Sequence, residues 1–363
     1  MKIFKFLLFI LFLSPFSISA ENVKTQELEY DLYRGKVIGV ENTKTFTGTT
    51  RTIEQKAMVE VVNRDKKGEI IEINNFLSGN DVYDMELREG DFITMNYDGE
   101  NLHFVSYDNF RPMILLTLFF IATILFIGRS KGVKALLALI STLLLIVWFM
   151  IPLILNGHNP ILVSVITCTI ATLITFLIIS GINKKTLVAT LGTVSGLVSG
   201  GLIAYVFGIS ARLTGFSSNE ATMLMYLPSG IELDFRGLLF AGIIIGALGA
   251  SMDVSISLAS SLDEIKKQNP KIKAKEITKS GFNIGTDIMG TMINTLVLAY
   301  AGGFMVMFLV FNGFSVPFNQ IINLDIVATE FVRAVAGSIG LLISIPATIL
   351  FFVFVYFKKE VKQ

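Results

Sequence analysis

The sequence predicts an α-helical polytopic membrane bundle of about seven spans with a small N-terminal extracytoplasmic β-barrel or sandwich domain. Three observations carry this. The 363 residues are 52% hydrophobic and only 16% charged, with a mean hydropathy of +0.66, whereas a soluble domain is about 25% charged. Several apolar runs reach the ~20 residues needed to cross a hydrocarbon core. The charge is also divided: residues 21–110 hold 18 acids and 10 bases, residues 111–363 hold 11 acids and 18 bases. The two parts therefore suit different surroundings.

Residues 1–20 read as a signal peptide, with Lys2 and Lys5 at its positive start, Phe6 to Leu13 as its apolar centre and Ser17-Ile-Ser-Ala20 as its small-residue exit. An uncleaved N-terminal anchor is the alternative, and either one sends the following segment across a membrane. Residues 21–110 then carry five strand patterns: Tyr33–Val40, Lys56–Val62, Glu69–Asn74, Phe92–Tyr97 and Leu102–Tyr107. Turns at Asp65-Lys-Lys-Gly68, Glu89-Gly-Asp91 and Asp98-Gly-Glu-Asn101 separate them. Short strands and tight turns predict a small β-barrel or sandwich, and its acidity agrees with an outside location.

Residues 111–363 form the transmembrane domain. The spans are placed at about 112–128, 134–155, 160–180, 187–208, 237–259, 282–310 and 330–357. Lysine and arginine gather in alternate loops. They are Arg129, Lys131 and Lys134, then Lys184 and Lys185, then six lysines from Lys266 to Lys279, then Lys358, Lys359 and Lys362. Cytoplasmic loops carry such an excess, which places the N-terminal domain outside and the C-terminus in the cytoplasm. In the long outer loop, Ser217-Ser-Asn-Glu220 precedes an apolar run that stops at Pro228, a start signal for a short interfacial helix.

Two carboxylates stand in apolar stretches. Asp253 shares a helical face with Gly242, Gly246, Gly249 and Ser257; Asp287 shares one with Asn283, Gly290, Thr291 and Asn294. A carboxylate within a span costs on the order of 2.5–3.5 kcal/mol and commonly marks an ion or solute path. Gly192, Gly196 and Gly200 form a third stripe, of the kind that lets helices approach closely in lipid. The pattern predicts the fourth, fifth and sixth spans in contact around a polar seam. Within it Asp253, Asp287, Asn283, Thr291, Asn294 and Ser257 form a candidate intramembrane site. With span five ending near Asp253 and span six starting just before Asp287, the helix dipole opposes negative charge at the first and favours it at the second. A purely structural role for both aspartates is the competing reading, since interhelical polar contacts in membranes are common. Glu330 and Arg333, three apart, predict a local ion pair.

Other chemistry finds no foothold. Cys168 is the sole cysteine, and His103 and His158 are too few and too separated for a metal cluster. Nucleotide-binding, zinc and nucleophile-elbow motifs are absent from the sequence. The Gly-x-Gly-Asp of intramembrane aspartyl proteases is not met by Asn283-Ile-Gly-Thr-Asp287. No catalytic residue, cofactor, resident metal or nucleic-acid partner is expected.

The blocks Gly246-Ala-Leu-Gly-Ala-Ser-Met-Asp253-Val-Ser-Ile-Ser and Ser280-Gly-Phe-Asn-Ile-Gly-Thr-Asp287-Ile-Met-Gly-Thr-Met-Ile-Asn294-Thr-Leu-Val-Leu-Ala-Tyr300 resemble the YibE/F family of bacterial multipass membrane proteins. The likeness extends over most of the chain, including an acidic outer domain ending in Glu89-Gly-Asp91. It implies a bacterial cell-membrane location and this architecture, and it transfers no catalytic role to any residue. Two functional readings stand. The first is a secondary transporter or permease whose seam binds a proton, a cation or a small solute. The alternative is a non-transporting scaffold or envelope component whose outer domain binds a partner or an envelope ligand. The lipid bilayer is a partner in both.

Overall fold

The computed structural model describes residues 32–47, 50–80, 82, 84–99, 101–226 and 233–357. The predicted signal peptide and the last three lysines lie outside them. The chain divides into two compact units, one within Lys24–Ile124 and one within Leu125–Gln363.

The first unit is a single antiparallel sheet. Its strands are β1 Leu32–Thr47, β2 Thr50–Val61, β3 Ile70–Leu77, β4 Phe92–Tyr97 and β5 Leu102–Tyr107, in the order β3-β2-β1-β4-β5. Long β1 is shared by both halves, pairing Val37 with Val59 and Gly35 with Ile93. Bulges between Val37 and Gly39 and between Thr94 and Met95 add local twist. The sheet curls until edge strands β3 and β5 come close without pairing. The result is a half-barrel, and the sandwich alternative is set aside because all five strands belong to one sheet.

Alternation drives the curl. Ala57, Val59 and Val61 point inward and are fully buried, as are Val37, Ile93 and Met95, while Met58 and Glu60 face out. Burying each large apolar side chain stabilises by about 1.5–3 kcal/mol. Gly35 is required where β1 crosses this core, because a Cβ there would collide with Val59 Cγ1 and lie 2.8 Å from Met95 Cε. Gln55, wholly buried, donates from Nε2 to Asn42 Oδ1 (2.9 Å) and Leu87 O (3.3 Å). Its Oε1 accepts from Leu87 N (2.8 Å) and Asn75 Nδ2 (2.9 Å). These bonds tie the β3–β4 connection to the sheet.

Helical structure begins at Phe110, so that residues 110–124 of the first helix fall in the first unit and the other helices in the second. The helices are α1 Phe110–Leu155, α2 Pro160–Ser180, α3 Lys184–Ser210, α4 Asn219–Met223, α5 Phe235–Gln268, α6 Ala274–Gly303, α7 Met305–Gly313, α8 Phe318–Ile321 and α9 Asp325–Tyr356. Five of them, α1, α2, α3, α5 and α9, are long and apolar enough to cross a membrane. A sixth span is reached if α6 and α7, bent by 58° at their junction, count as one. The number is below the expected seven because α1, which holds two of the predicted spans, counts once. The predicted spans 112–128 and 134–155 both fall within α1, where two helices join across a kink at Arg129 (φ 45°, ψ −125°) and a π-helical turn follows at Ile146–Met150. Straight, 46 residues would extend about 69 Å, more than twice the ~30 Å hydrocarbon core.

Helix starts follow their caps. Asn159 accepts from Ile161 N and Leu162 N with Pro160 next in line, Asn183 accepts from Thr186 N, and Asp234 from Gly237 N. The short helix expected after Ser217-Ser-Asn-Glu220 exists as α4, capped by Ser218.

Close packing centres on α3 and α9. A Cβ on Gly192 would meet Thr348, one on Gly196 would meet Gly340 and Ser344, and one on Gly200 would meet Ala336 and Gly340. Small residues every four positions on both helices let the backbones touch, the main source of helix affinity where lipid is as apolar as the side chains. α3 also meets α5, through Gly201 against Ile244 and Gly208 against Phe240. α6 rests on α9 with Gly281 against Ile349 and Gly285 against Ile345.

Candidate functional site

The six candidate residues lie on α5 and α6, which run antiparallel. Lys266 Nζ donates to Ile272 O at their connecting turn, and at the other end Gly246 lies beside the Tyr300 hydroxyl, which a Cβ would meet at 2.9 Å. Each aspartate falls mid-helix. α5 continues 15 residues beyond Asp253 to Gln268, and α6 begins 13 residues before Asp287 at Ala274. The helices are longer than the predicted spans 237–259 and 282–310. A helix terminus acts only within its first or last turn, so the expected dipole contrast between the two carboxylates does not arise.

Asp253 and Ser257 on α5 and Asn283, Asp287, Thr291 and Asn294 on α6 are all exposed on the helical unit. Behind them, α5 buries Ile243, Ile244, Ala247, Ser251, Val254 and Leu258, and α6 buries Ile277, Gly281, Gly285 and Leu296. Among the described residues, no side-chain hydrogen bond or ion pair engages Asp253, Asp287, Asn283 or Asn294. Thr291 Oγ1 donates to Ile288 O within its own helix. Gly242, Gly249 and Gly290 on the same faces have open space where a Cβ would stand. All six residues are thus exposed on their helices, away from the residues that α5 and α6 bury. The structure closes the glycine stripe of α3 on α9, where a seam with α5 and α6 was expected.

The interior is furnished differently. Buried hydroxyls line it on α2 (Ser164, Thr167, Thr172), α3 (Thr186, Thr190, Thr193), α5 (Ser251, Ser255) and α9 (Thr329, Ser338, Ser344, Thr348). Most donate to a carbonyl one turn back in their own helix, as Thr167 does to Val163 O (2.7 Å) and Thr348 to Ser344 O (2.7 Å). Ser251, Ser255 and Thr329 have buried hydroxyls without a partner among the described residues, as does Tyr300. Sequence reasoning missed this lining and the α9 stripe of Ala336, Gly340, Ser344 and Thr348. The latter was legible as a repeat of small residues every four positions.

Two cavities lie elsewhere. One of about 210 Å³ in the helical unit is lined by His158, Asn159, Leu233 and Asp234 among others, but Asn159 and Asp234 are engaged as helix caps. The other, about 420 Å³, lies in the β unit against Asp84, Glu86, Arg88, Asp91 and Tyr107. Its charges are engaged with the protein: Asp84 accepts from the backbone N–H of Ser78, Gly79 and Asn80, which holds its carboxyl below the usual range. Arg88 pairs with Glu86 at 3.0 Å. No group of three or more His, Cys, Asp or Glu among the described residues is placed to hold a metal. Glu330 and Arg333 form the local pair expected of them, at 3.0 Å. Where α5 and α9 end, Tyr356 donates to Asp263 Oδ1 and Lys267 reaches Oδ2, both at 2.6 Å.

A half-barrel followed by five or six long apolar helices, with a polar face on two adjacent ones, fits a membrane protein with an appended β domain. The family described as YibE/F-like protein matches residues 116–358, and that described as YibE/F family N-terminal domain matches residues 29–107. The chain therefore belongs to the YibE/F family. No curated protein and no solved structure matches it.

Proposed function

We propose that this chain is an integral protein of the bacterial cell membrane and a secondary transporter or permease, with the α5–α6 face forming the wall of a path for a proton, a cation or a small solute. The observation that carries this is Asp287, exposed and unpartnered among the described residues in the middle of a helix, in line with Asn283, Thr291 and Asn294. Held against lipid, that carboxylate alone would cost at least a few kcal/mol. Water, solute or protein at this face removes the penalty. Asp253 and Ser257 extend the polar surface onto α5. Asp287 would attract the cationic species, and the amides and hydroxyls would replace part of its hydration shell. The lysine-rich loops support an outer β unit and a cytoplasmic C-terminus. That arrangement needs an odd number of crossings, which α1 would give by crossing twice, once on each side of Arg129.

Proteoliposomes loaded with pH- and cation-sensitive dyes test this reading. Wild-type protein should carry a proton or cation flux that Asp287→Asn abolishes while eluting normally on size-exclusion chromatography. Undiminished flux in that variant would refute it.

A second reading has an observation in its favour. The outer face of β2 and β3 exposes Met58, Ile70 and Phe76 at 42%, 57% and 70%, and in some five-stranded, partly open barrels the β2–β3 face binds oligosaccharides or oligonucleotides. This is an analogy of architecture. It supports a scaffold that works through its outer domain, for which Asp287→Asn would be silent and deletion of residues 30–106 would abolish function.

A further inference from the structure

We infer that the β sheet and the first turns of α1 form one rigid lever, so that a ligand or a load taken up by the sheet reaches the first membrane helix as a tilt or a rotation. Domains of one chain are ordinarily joined by an exposed, flexible linker rich in Pro, Gly and polar residues. Here only Asp108 and Asn109 separate the end of β5 from the start of α1. The compact unit that holds the sheet also runs on to Ile124, well inside the helix.

Asp108 ties the two elements together. It is buried, which is rare for a carboxylate. Its backbone N–H donates to Phe92 O at 2.7 Å, extending the β4–β5 pairing past the strand end. Its Oδ1 accepts from Phe110 N at 3.1 Å, which holds the first helical residue, and its Oδ2 lies 3.9 Å from Arg34 Nε on β1. Two cation–π contacts cross the same junction in opposite directions. Arg34 of the sheet stands over the Phe110 ring, 4.5 Å from its centroid, and Arg111 of the helix stands over the Phe92 ring at 3.9 Å. Phe110 and Arg111 project about 100° apart around the helix, so a turn or a tilt of α1 on the sheet breaks at least one of them. Beyond this clamp the helix continues to the kink at Arg129, and its Phe110–Ile124 stretch alone carries motion over about 22 Å. α1 is long and apolar enough to cross a membrane, so whatever binds the outer sheet acts on a span with no slack between.

The test uses the full chain in nanodiscs, with Cys168→Ala removing the native thiol. Spin labels at Glu60→Cys on the sheet and Leu118→Cys on the helix, both exposed, report their separation by double electron–electron resonance. Protein changed only for labelling should give one narrow distance distribution. Arg34→Ala combined with Arg111→Ala, and separately a Gly-Ser-Gly insertion between Asn109 and Phe110, should each lose that single peak and spread the distribution. A second pair, Glu60→Cys with Asn101→Cys, lies within the sheet and should stay narrow in both variants, which separates a released clamp from an unfolded sheet. A broad sheet-to-helix distribution without the clamp substitutions would overturn the inference by itself, and so would a narrow one that survives both variants. The readout needs no flux, so the lever and the transport reading stand or fall separately.

Discussion

Gly196 and Gly340 pass so closely that a Cβ on either would meet the other's carbonyl oxygen, at 2.6 Å from Gly196 and 2.8 Å from Gly340. Neither contact can be relieved by turning a side chain, because both involve backbone.

Gly196→Leu should therefore force α3 and α9 apart and destabilise the helical unit by about 3 kcal/mol or more. Gly242→Ala, with open space around it, should change little. Apparent melting temperatures in detergent compare the two. Equal temperatures would show that α3 and α9 do not pack as described.

Gln55→Leu should loosen the β unit at a distance from the substitution. It strips partners from Leu87 N–H and from the Asn75 amide, at a cost on the order of 2–4 kcal/mol for the groups left unpaired. Hydrogen–deuterium exchange should rise at Met85–Leu87 before it rises in β4. Unchanged protection there would mean that the network does not anchor the connection.

Tyr33 and Asp65 give the β unit a window of pH. The Tyr33 hydroxyl donates to Asp65 Oδ1 at 2.8 Å. That bond is the largest cause holding the Asp65 carboxyl below its ordinary value and the Tyr33 phenol above its own. A lowered carboxylate stabilises the fold above its unfolded pKa and loses that contribution as pH falls; a raised phenol loses its contribution as pH rises. Stability from this pair should thus be flat between about pH 5 and 9, declining below about 4 and above about 10. Tyr33→Phe should remove the alkaline decline and shrink the acidic one, as followed by circular dichroism of the intact chain across pH. An unchanged alkaline decline in that variant would assign it to another group.

Much of the fold could be read from residue patterns because its periods are strong. β4 and β5 have the predicted limits, and each turn holds a glycine at positive φ: Gly68, Gly90 and Gly99. The outer half of the β1–β2 hairpin was missed because Glu41-Asn-Thr-Lys44 has no apolar alternation to reveal it. At the candidate site the periodicity correctly grouped Asp253 with Ser257 and Asp287 with Asn283, Thr291 and Asn294. It could not say which side of each helix the rest of the chain would cover. Gly192, Gly196 and Gly200 resemble Gly242, Gly246 and Gly249 on a helical wheel, yet the first stripe is closed by α9 whereas Gly242 and Gly249 stand open and Gly246 faces only the Tyr300 hydroxyl. The difference comes from α9, whose Ala336 and Gly340 match the first stripe from more than 130 residues further along the chain. Helix limits were misjudged for a related reason. The polar turns after Ala259 and before Gly281 look like loop in a hydropathy profile, whereas backbone hydrogen bonding continues through them.

The bend between α6 and α7 bears on how the protein is made. α6 alone falls short of the apolarity needed for a span and reaches it only in combination with Met305–Gly313. Asp287, Asn283 and Asn294 are the reason, since polar side chains at a helix centre oppose release into lipid. As the chain emerges from the ribosome, α6 would have to wait at the insertion machinery until α7 follows, or leave it sheltered against α5. The helix with the most polar chemistry in the unit would therefore be the one least able to enter a bilayer unaided, and its insertion would depend on its neighbours.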